Sequence, residues 1–524
     1  MFRQLLLITA GLIVLTTPPA LAQGRWVGGP GGSPTAAAER MLGARASRGG
    51  AAVRVSRLGS SGTGACNGAV GGTIYEITIT NTPTGWEEDF LLGVPHYPES
   101  GAAPLLVGFH KFEVSHWDLC EHTDFFNEAF SRGWFIVTPL GAAQQAFGGL
   151  EAQANTQLVL DFCSILPVDP ARIYGVGFST GGGWMTSYAA RHQDPTRSRF
   201  AGLVNHTGGV SLTHTYANEE QFDNGCDPPF PACPGACPCA NNPCDWEAAD
   251  MLEYFYAGPP GPDPFAYLRC SLFDLQDGPP ATIDAHTDMA GNLLYTPLRT
   301  SYATNDTSPV GLYLAAQCEA LDLHLTGTLG GSEHTLVPLA ATVHSWETLA
   351  ETQACDFLDS QAPAAPAGFR IVTADRDGRW NDMTVIQDPP PLAPGPDMDW
   401  RCGSLDNEPG HFARFDWGVD VVSNIFSLRS TRQLASLRVH SRDMGLEPTQ
   451  PLQFYLLRGP DTDGGPLQDE VVITDFSSAP TSVTVGNTVQ VPGVDYTWEA
   501  DTGLLTLAPR SWPTNGFLHW IITP

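Results

Sequence analysis

The sequence predicts an α/β chain: a mostly parallel sheet with helices on both faces and a cysteine-rich insertion, followed by an all-β sandwich-like module. Three observations predict it. Between residues 104 and 329, short apolar runs alternate with segments of helical period, the pattern of strands joined by crossover helices. One run, 172–176, leads into Gly177-Phe178-Ser179-Thr180-Gly181 and a helical segment over 184–191, which is a strand, a sharp turn and a helix in succession. Beyond the Pro/Ala-rich stretch 361–368 the helical period disappears, and short strands remain between Gly, Pro and Asp turns.

Taken in order, residues 1–22 read as a signal peptide: Arg3 in a positive start, an apolar run over 5–15 and a small-residue site at Ala20-Leu21-Ala22. The reading is therefore an exported protein, with no later apolar run long enough to span a membrane. Residues 23–65, rich in Gly, Ala, Ser and Arg, read as a flexible leader. The catalytic part is expected over 66–360. Residues 73–79 alternate as a strand, and 90–95 form another that ends at Pro95. The continuous apolar run 104–110 is a buried central strand, and 133–139, 172–176, 200–204 and 296–302 follow. Helices fit 125–130, 158–166, 310–321 and 344–358, and 323–329 is expected to be the last strand.

Between 213 and 280 the pattern breaks. Cys226, Cys233, Cys237, Cys239, Cys244 and Cys270 lie there among many prolines, so the segment is expected to be a disulfide-held cap. The twelve cysteines are an even number and fit an oxidising compartment. The net charge of −30, from 26 basic against 56 acidic residues, excludes nucleic acid as a natural partner. Residues 369–524 form the β-rich module after the 361–368 linker. Its Trp380, Trp400, Trp417, Trp498, Trp512 and Trp520 serve either as core or as a polymer-binding surface. Its role is expected to be attachment to an insoluble substrate, and a chain ending near Ser360 is expected to keep its turnover of soluble esters.

The chemistry is carried by Ser179, Asp306 and His334, each placed just after an expected strand, so that a parallel sheet brings all three to one edge. A serine hydroxyl is a poor nucleophile until a base takes its proton. His334 is assigned that task, and Asp306 the task of orienting the imidazole. His324 is read as packed inside its strand and His344 as a residue of the closing helix, while Asp284 and Asp288 precede the strand that Asp306 follows. The backbone N–H of Thr180 and one from Lys111 or Phe112 would hold the developing oxyanion. His110, His116 and His122 are spaced without a common ligand face, so no metal and no cofactor are assigned.

With these residues placed, the chain resembles the α/β-hydrolase superfamily, in particular the secreted esterases grouped with poly(3-hydroxybutyrate) depolymerases, feruloyl esterases and acetylxylan esterases. The resemblance rests on 104–110 with its loop, on 168–174 running into 177–182, on 296–306, and on 331–335. It implies carboxylic-ester hydrolysis, on a polyester or on acyl groups of plant cell-wall polysaccharide. The family usually has His-Gly where this chain has His110-Lys111, which leaves the second oxyanion donor open. A lipase or serine peptidase of the same fold, and a non-catalytic binding protein on a hydrolase scaffold, are the alternatives.

Overall fold

The computed structural model describes residues 52–60, 66–81, 86–99, 101–141, 147–220, 248–256, 259–260, 265–276, 282–283, 288–361, 369–387, 412–432, 434–458, 470–510 and 516–524. All of them belong to one compact unit, Ser33–Pro524. The expected signal peptide, the 361–368 linker apart from Gln361, and Cys226, Cys233, Cys237, Cys239 and Cys244 lie outside the described residues.

The first sheet is built from β1 (Ala52–Ser60), β2 (Gly72–Asn81), β3 (Trp86–Pro95), β4 (Ala103–Phe109), β5 (Phe135–Pro139), β6 (Val168–Phe178) and β7 (Gly202–His206). After a short pair, β8 (Leu275–Gln276) and β9 (Thr282–Ile283), it is completed by β10 (Leu298–Ala303) and β11 (His334–Leu339). Its nine strands run in the order β1-β2-β3-β5-β4-β6-β7-β10-β11. The first pairings, β1 with β2, β2 with β3 and β3 with β5, are antiparallel, and every later one is parallel. In β4, Leu105, Val107 and Phe109 enter one apolar cluster while Leu106 enters another, because alternate side chains of a strand point to opposite faces. Helices Leu150–Cys163 and Thr180–Arg191 cover the first face, and Phe125–Ser131 and Glu351–Asp359 the second. Burial on both faces explains the near-continuous apolar runs of the central strands. This mixed sheet with its helices fits an α/β-hydrolase-like fold.

Three expectations are corrected. The leader contains β1, which pairs with β2 along its length. Residues 323–329 are not a strand: Leu323–Thr328 form a π-helical turn that prolongs the helix Pro309–Asp322, and the last strand is β11, further along the chain. The described part of the insertion contains regular structure, helices Leu212–Glu219, Ala248–Tyr256 and Phe265–Leu268. The disulfide among the described residues lies elsewhere and joins Cys66 to Cys120.

From Phe369 onward, a seven-stranded and a six-stranded sheet share one apolar cluster. Trp380, Trp417 and Trp520 are buried in it and Trp498 packs against it, so these four are core rather than a binding surface. Trp400 and Trp512 lie outside the described residues. These sheets are no appendage. Asp375 is fully buried and takes Arg191 Nη2 at 2.6 Å and Arg269 Nε at 3.2 Å. Burial would raise its carboxyl pKa, but Arg191, Arg269 and Arg376 outweigh that and hold it well below the usual range. Asn292 adds a bridge from Ala190 O to the backbone of Thr373. A chain ending near Ser360 would lose the Asp375 carboxylate that Arg191 and Arg269 share.

Candidate active site

β6 ends at Phe178, and the helix Thr180–Arg191 starts two residues later. Ser179 makes the whole turn, with φ 56° and ψ −127°, a left-handed backbone that costs a non-glycine residue about 1–3 kcal/mol and is kept where the surroundings over-determine it. The glycines are forced by approach: a Cβ on Gly177 would stand 2.3 Å from Gly181 O, and one on Gly181 2.3 Å from the carbonyl oxygens of Phe109 and His110. Ser179 N–H donates to His206 O at 3.0 Å, and Ser179 O accepts from Gly182 and Gly209. The hydroxyl is thereby held at the carboxyl ends of β6 and β7.

The partner of that hydroxyl is His344, whose Nε2 lies 2.9 Å from Ser179 Oγ. His334, expected in this place, is the first residue of β11; its Nε2 meets Thr300 Oγ1 at 2.9 Å and its Nδ1 meets Asp322 Oδ1 at 3.0 Å. The reason is the shifted last strand, because the loop that follows β11 begins after Leu339 and carries His344. His324, read as packed, pairs with Asp288 at 2.7 Å. Asp284 lies outside the described residues.

Asp306 follows β10 as expected, and its Oδ1 accepts the Ser308 N–H at 2.9 Å. The carboxylate sits against Gly311, in the first turn of Pro309–Asp322, where the positive end of the helix dipole favours an anion. Its Oδ2 and the Nδ1 of His344 are both buried with no hydrogen-bond partner among the described residues. Burial lowers the His344 pKa to about 4; His206 pushes the same way and Asp306 opposes. The two loops are tied together by Thr304 N–H to Leu339 O at 2.8 Å and Asn305 N–H to Ala341 O at 2.9 Å.

Sequence reasoning missed the supports of the His344 loop. His206 bonds Ser301 Oγ through Nδ1, and Ser345 O and Thr348 Oγ1 through Nε2. Trp346 donates its Nε1–H to Asp118 Oδ2 at 2.7 Å, and Phe178 lies beside the His344 ring at 4.5 Å. Asp118, a fully buried carboxylate, also receives the Lys111 N–H at 3.4 Å, so one side chain touches both the loop after β4 and the loop after β11. His110 fixes the former loop from the other side, with ring nitrogens 2.7 Å from Lys111 O and 2.8 Å from Leu140 O. Among the described residues the N–H groups of Thr180 and Phe112 bond to no acceptor, whereas that of Lys111 is turned to Asp118. A group with a developing negative oxygen, placed at Ser179, would find the first two donors unengaged.

No family model matches the chain, and no curated protein matches it. Among solved structures the chain is similar to an acetyl xylan esterase from Paenibacillus sp. R4, at 13% identity over 61% of this chain and 92% of that chain, with a TM-score of 0.37. It is similar to an S-formylglutathione hydrolase from Agrobacterium tumefaciens, at 13% identity over 59% of this chain and 98% of that chain, with a TM-score of 0.37. A third is acetyl xylan esterase 1 from Thermoanaerobacterium sp. JW/SL YS485, at 15% identity over 61% of this chain and 90% of that chain, with a TM-score of 0.36.

Proposed function

We propose that this chain is an exported serine carboxylic-ester hydrolase in which Ser179 is the nucleophile, His344 the base and Asp306 the residue that orients it. The observation that carries the reading is the 2.9 Å contact between Ser179 Oγ and His344 Nε2 at a serine of φ 56°. As Ser179 Oγ attacks the ester carbonyl carbon, its proton passes to His344 Nε2, and the carbonyl oxygen becomes an anion facing the N–H groups of Thr180 and Phe112. Collapse expels the alcohol, which takes the proton back from His344. Water then gives its proton to His344 and attacks the acyl-serine, releasing a carboxylic acid and restoring the hydroxyl. Asp306 stabilises the imidazolium present between these transfers, and no cofactor or metal has a part in them.

The substrate class proposed is a polyester or an acylated plant polysaccharide, supported by the resemblance carried by the serine turn and its flanking strands. Export rests on residues 1–22. The test is reaction with a fluorophosphonate probe followed by peptide mass spectrometry. The expected result is one adduct on Ser179, with Ser179→Ala folded, unlabelled and about 10³-fold or more slower on p-nitrophenyl esters. An intact protein that neither labels nor hydrolyses any ester would instead support a binding role on this scaffold.

A further inference from the structure

At the amino ends of β6, β7 and β10, the opposite edge of the sheet from Ser179, a cavity of about 100 Å³ lies between this sheet and the C-terminal strand Phe369–Ala374. Its polar lining is His192, Gln193, Arg199, Tyr295, Thr296, Arg370 and Asn381. That lining holds two guanidiniums and no carboxylate. The Arg370 guanidinium stands 5.4 Å from the Tyr295 ring centre, and its Nε is buried without a hydrogen-bond partner among the described residues. Among the described residues Arg199 makes only long bonds, to Asn381 Oδ1 at 3.3 Å and Gln193 O at 3.5 Å. The Nε2 of His192 is also buried and unbonded among those residues.

The charges are unbalanced as well. Burial lowers the pKa of both arginines; Asp382 opposes this at each and Asp194 at Arg199, yet neither carboxylate comes within ion-pair distance of either guanidinium among the described residues. Asp194 is engaged with Arg379 at 3.9 Å, which leaves the Asp382 carboxylate to face two guanidiniums. In a chain of net charge −30, a cavity with an excess positive charge is against the general trend.

We propose that this cavity binds a small oxyanion, carboxylate or phosphate, gripped by Arg199 and Arg370 and closing the joint between the first sheet and the C-terminal sheets. Guanidinium forks match such anions, and a ligand bound only by the folded joint stabilises it by mass action. The site is independent of the hydrolase reading.

The experiment is thermal unfolding and titration calorimetry of the full chain in acetate, phosphate or chloride at matched ionic strength. A saturable rise in Tm with acetate alone identifies a carboxylate site, with phosphate alone a phosphate site, and with both a general oxyanion site. Arg370→Met is expected to weaken binding by about tenfold or more while leaving ester turnover unchanged, and to be no less stable than the wild type in chloride, because an unpaired buried charge has been removed. If Arg370→Met does not fold, Arg199→Met carries the same comparison. Equal Tm rises in wild type and variant, or no response beyond that to chloride, would overturn the proposal.

Discussion

Two histidines ten positions apart stand in nearly the same company. His334 touches a hydroxyl, Thr300, and a carboxylate, Asp322; His344 touches a hydroxyl, Ser179, and is influenced by a carboxylate, Asp306. By residue type alone, each set is a nucleophile, a base and an acid. The hydroxyls separate them. Thr300 lies inside β10, paired on both sides with Asn205 and Leu336, and is completely buried. Ser179 is raised on a left-handed turn at the start of a helix, next to the Thr180 N–H, which bonds to no acceptor among the described residues. A hydroxyl, an imidazole and a carboxylate therefore become a site only where a substrate carbon can reach the oxygen and donors can meet the charge it develops.

This contrast can be broken or sharpened in steps. Asp306→Asn should cost the largest factor after loss of the nucleophile or base, about 10²–10⁴ in kcat, because it removes the charge that stabilises the imidazolium. Asp322→Asn should leave kcat within a few fold of wild type, with its effect confined to stability. Equal kinetic losses from the two changes would erase the distinction. Trp346→Phe deletes the bond to Asp118 and frees the loop that carries His344. A kcat about tenfold lower at unchanged KM is expected, and a change in KM alone would mean that this bond shapes the substrate pocket instead.

The smallest effect is a displacement along the pH axis. Only neutral His344 can accept the serine proton, so activity is present above its pKa and lost as pH falls through it. Since burial lowers that pKa to about 4, the acid limb of kcat/KM should lie near pH 4 rather than near the ordinary histidine value of 6.5. A limb at 6.5 or above would mean that the base is more exposed, or more strongly paired with Asp306, than the structure has it.

Much of the site could be read from the sequence because its constraints are local. Gly177 and Gly181 are needed within one turn, and Asp306 follows the apolar run of β10 directly. The histidine was not readable in the same way. Residues 323–329 alternate apolar and polar like a strand, yet they extend a helix by a π-helical turn. The true last strand, β11, pairs on one edge with β10, keeps several side chains half exposed and tolerates Pro338, so it lacks the apolar run that marks its neighbours. Moving that strand by about ten positions moved the base by one loop. Pro338 after Leu336-Val337 was the available signal, since proline is confined to strand edges and ends. The Asp118–Trp346 contact joins residues 228 apart, and only folding reveals it.

The central claim is that His344, and not His334, is the base. Its most direct test compares His344→Ala with His334→Ala in folded protein, following fluorophosphonate labelling of Ser179 and p-nitrophenyl ester turnover together. The account predicts that His344→Ala loses about 10³-fold or more in both rates, while His334→Ala keeps both within a few fold and loses only stability through its unpaired Asp322 and Thr300. A His344→Ala protein that still turns over ester near the wild-type rate, beside a folded and inactive His334→Ala, would contradict it.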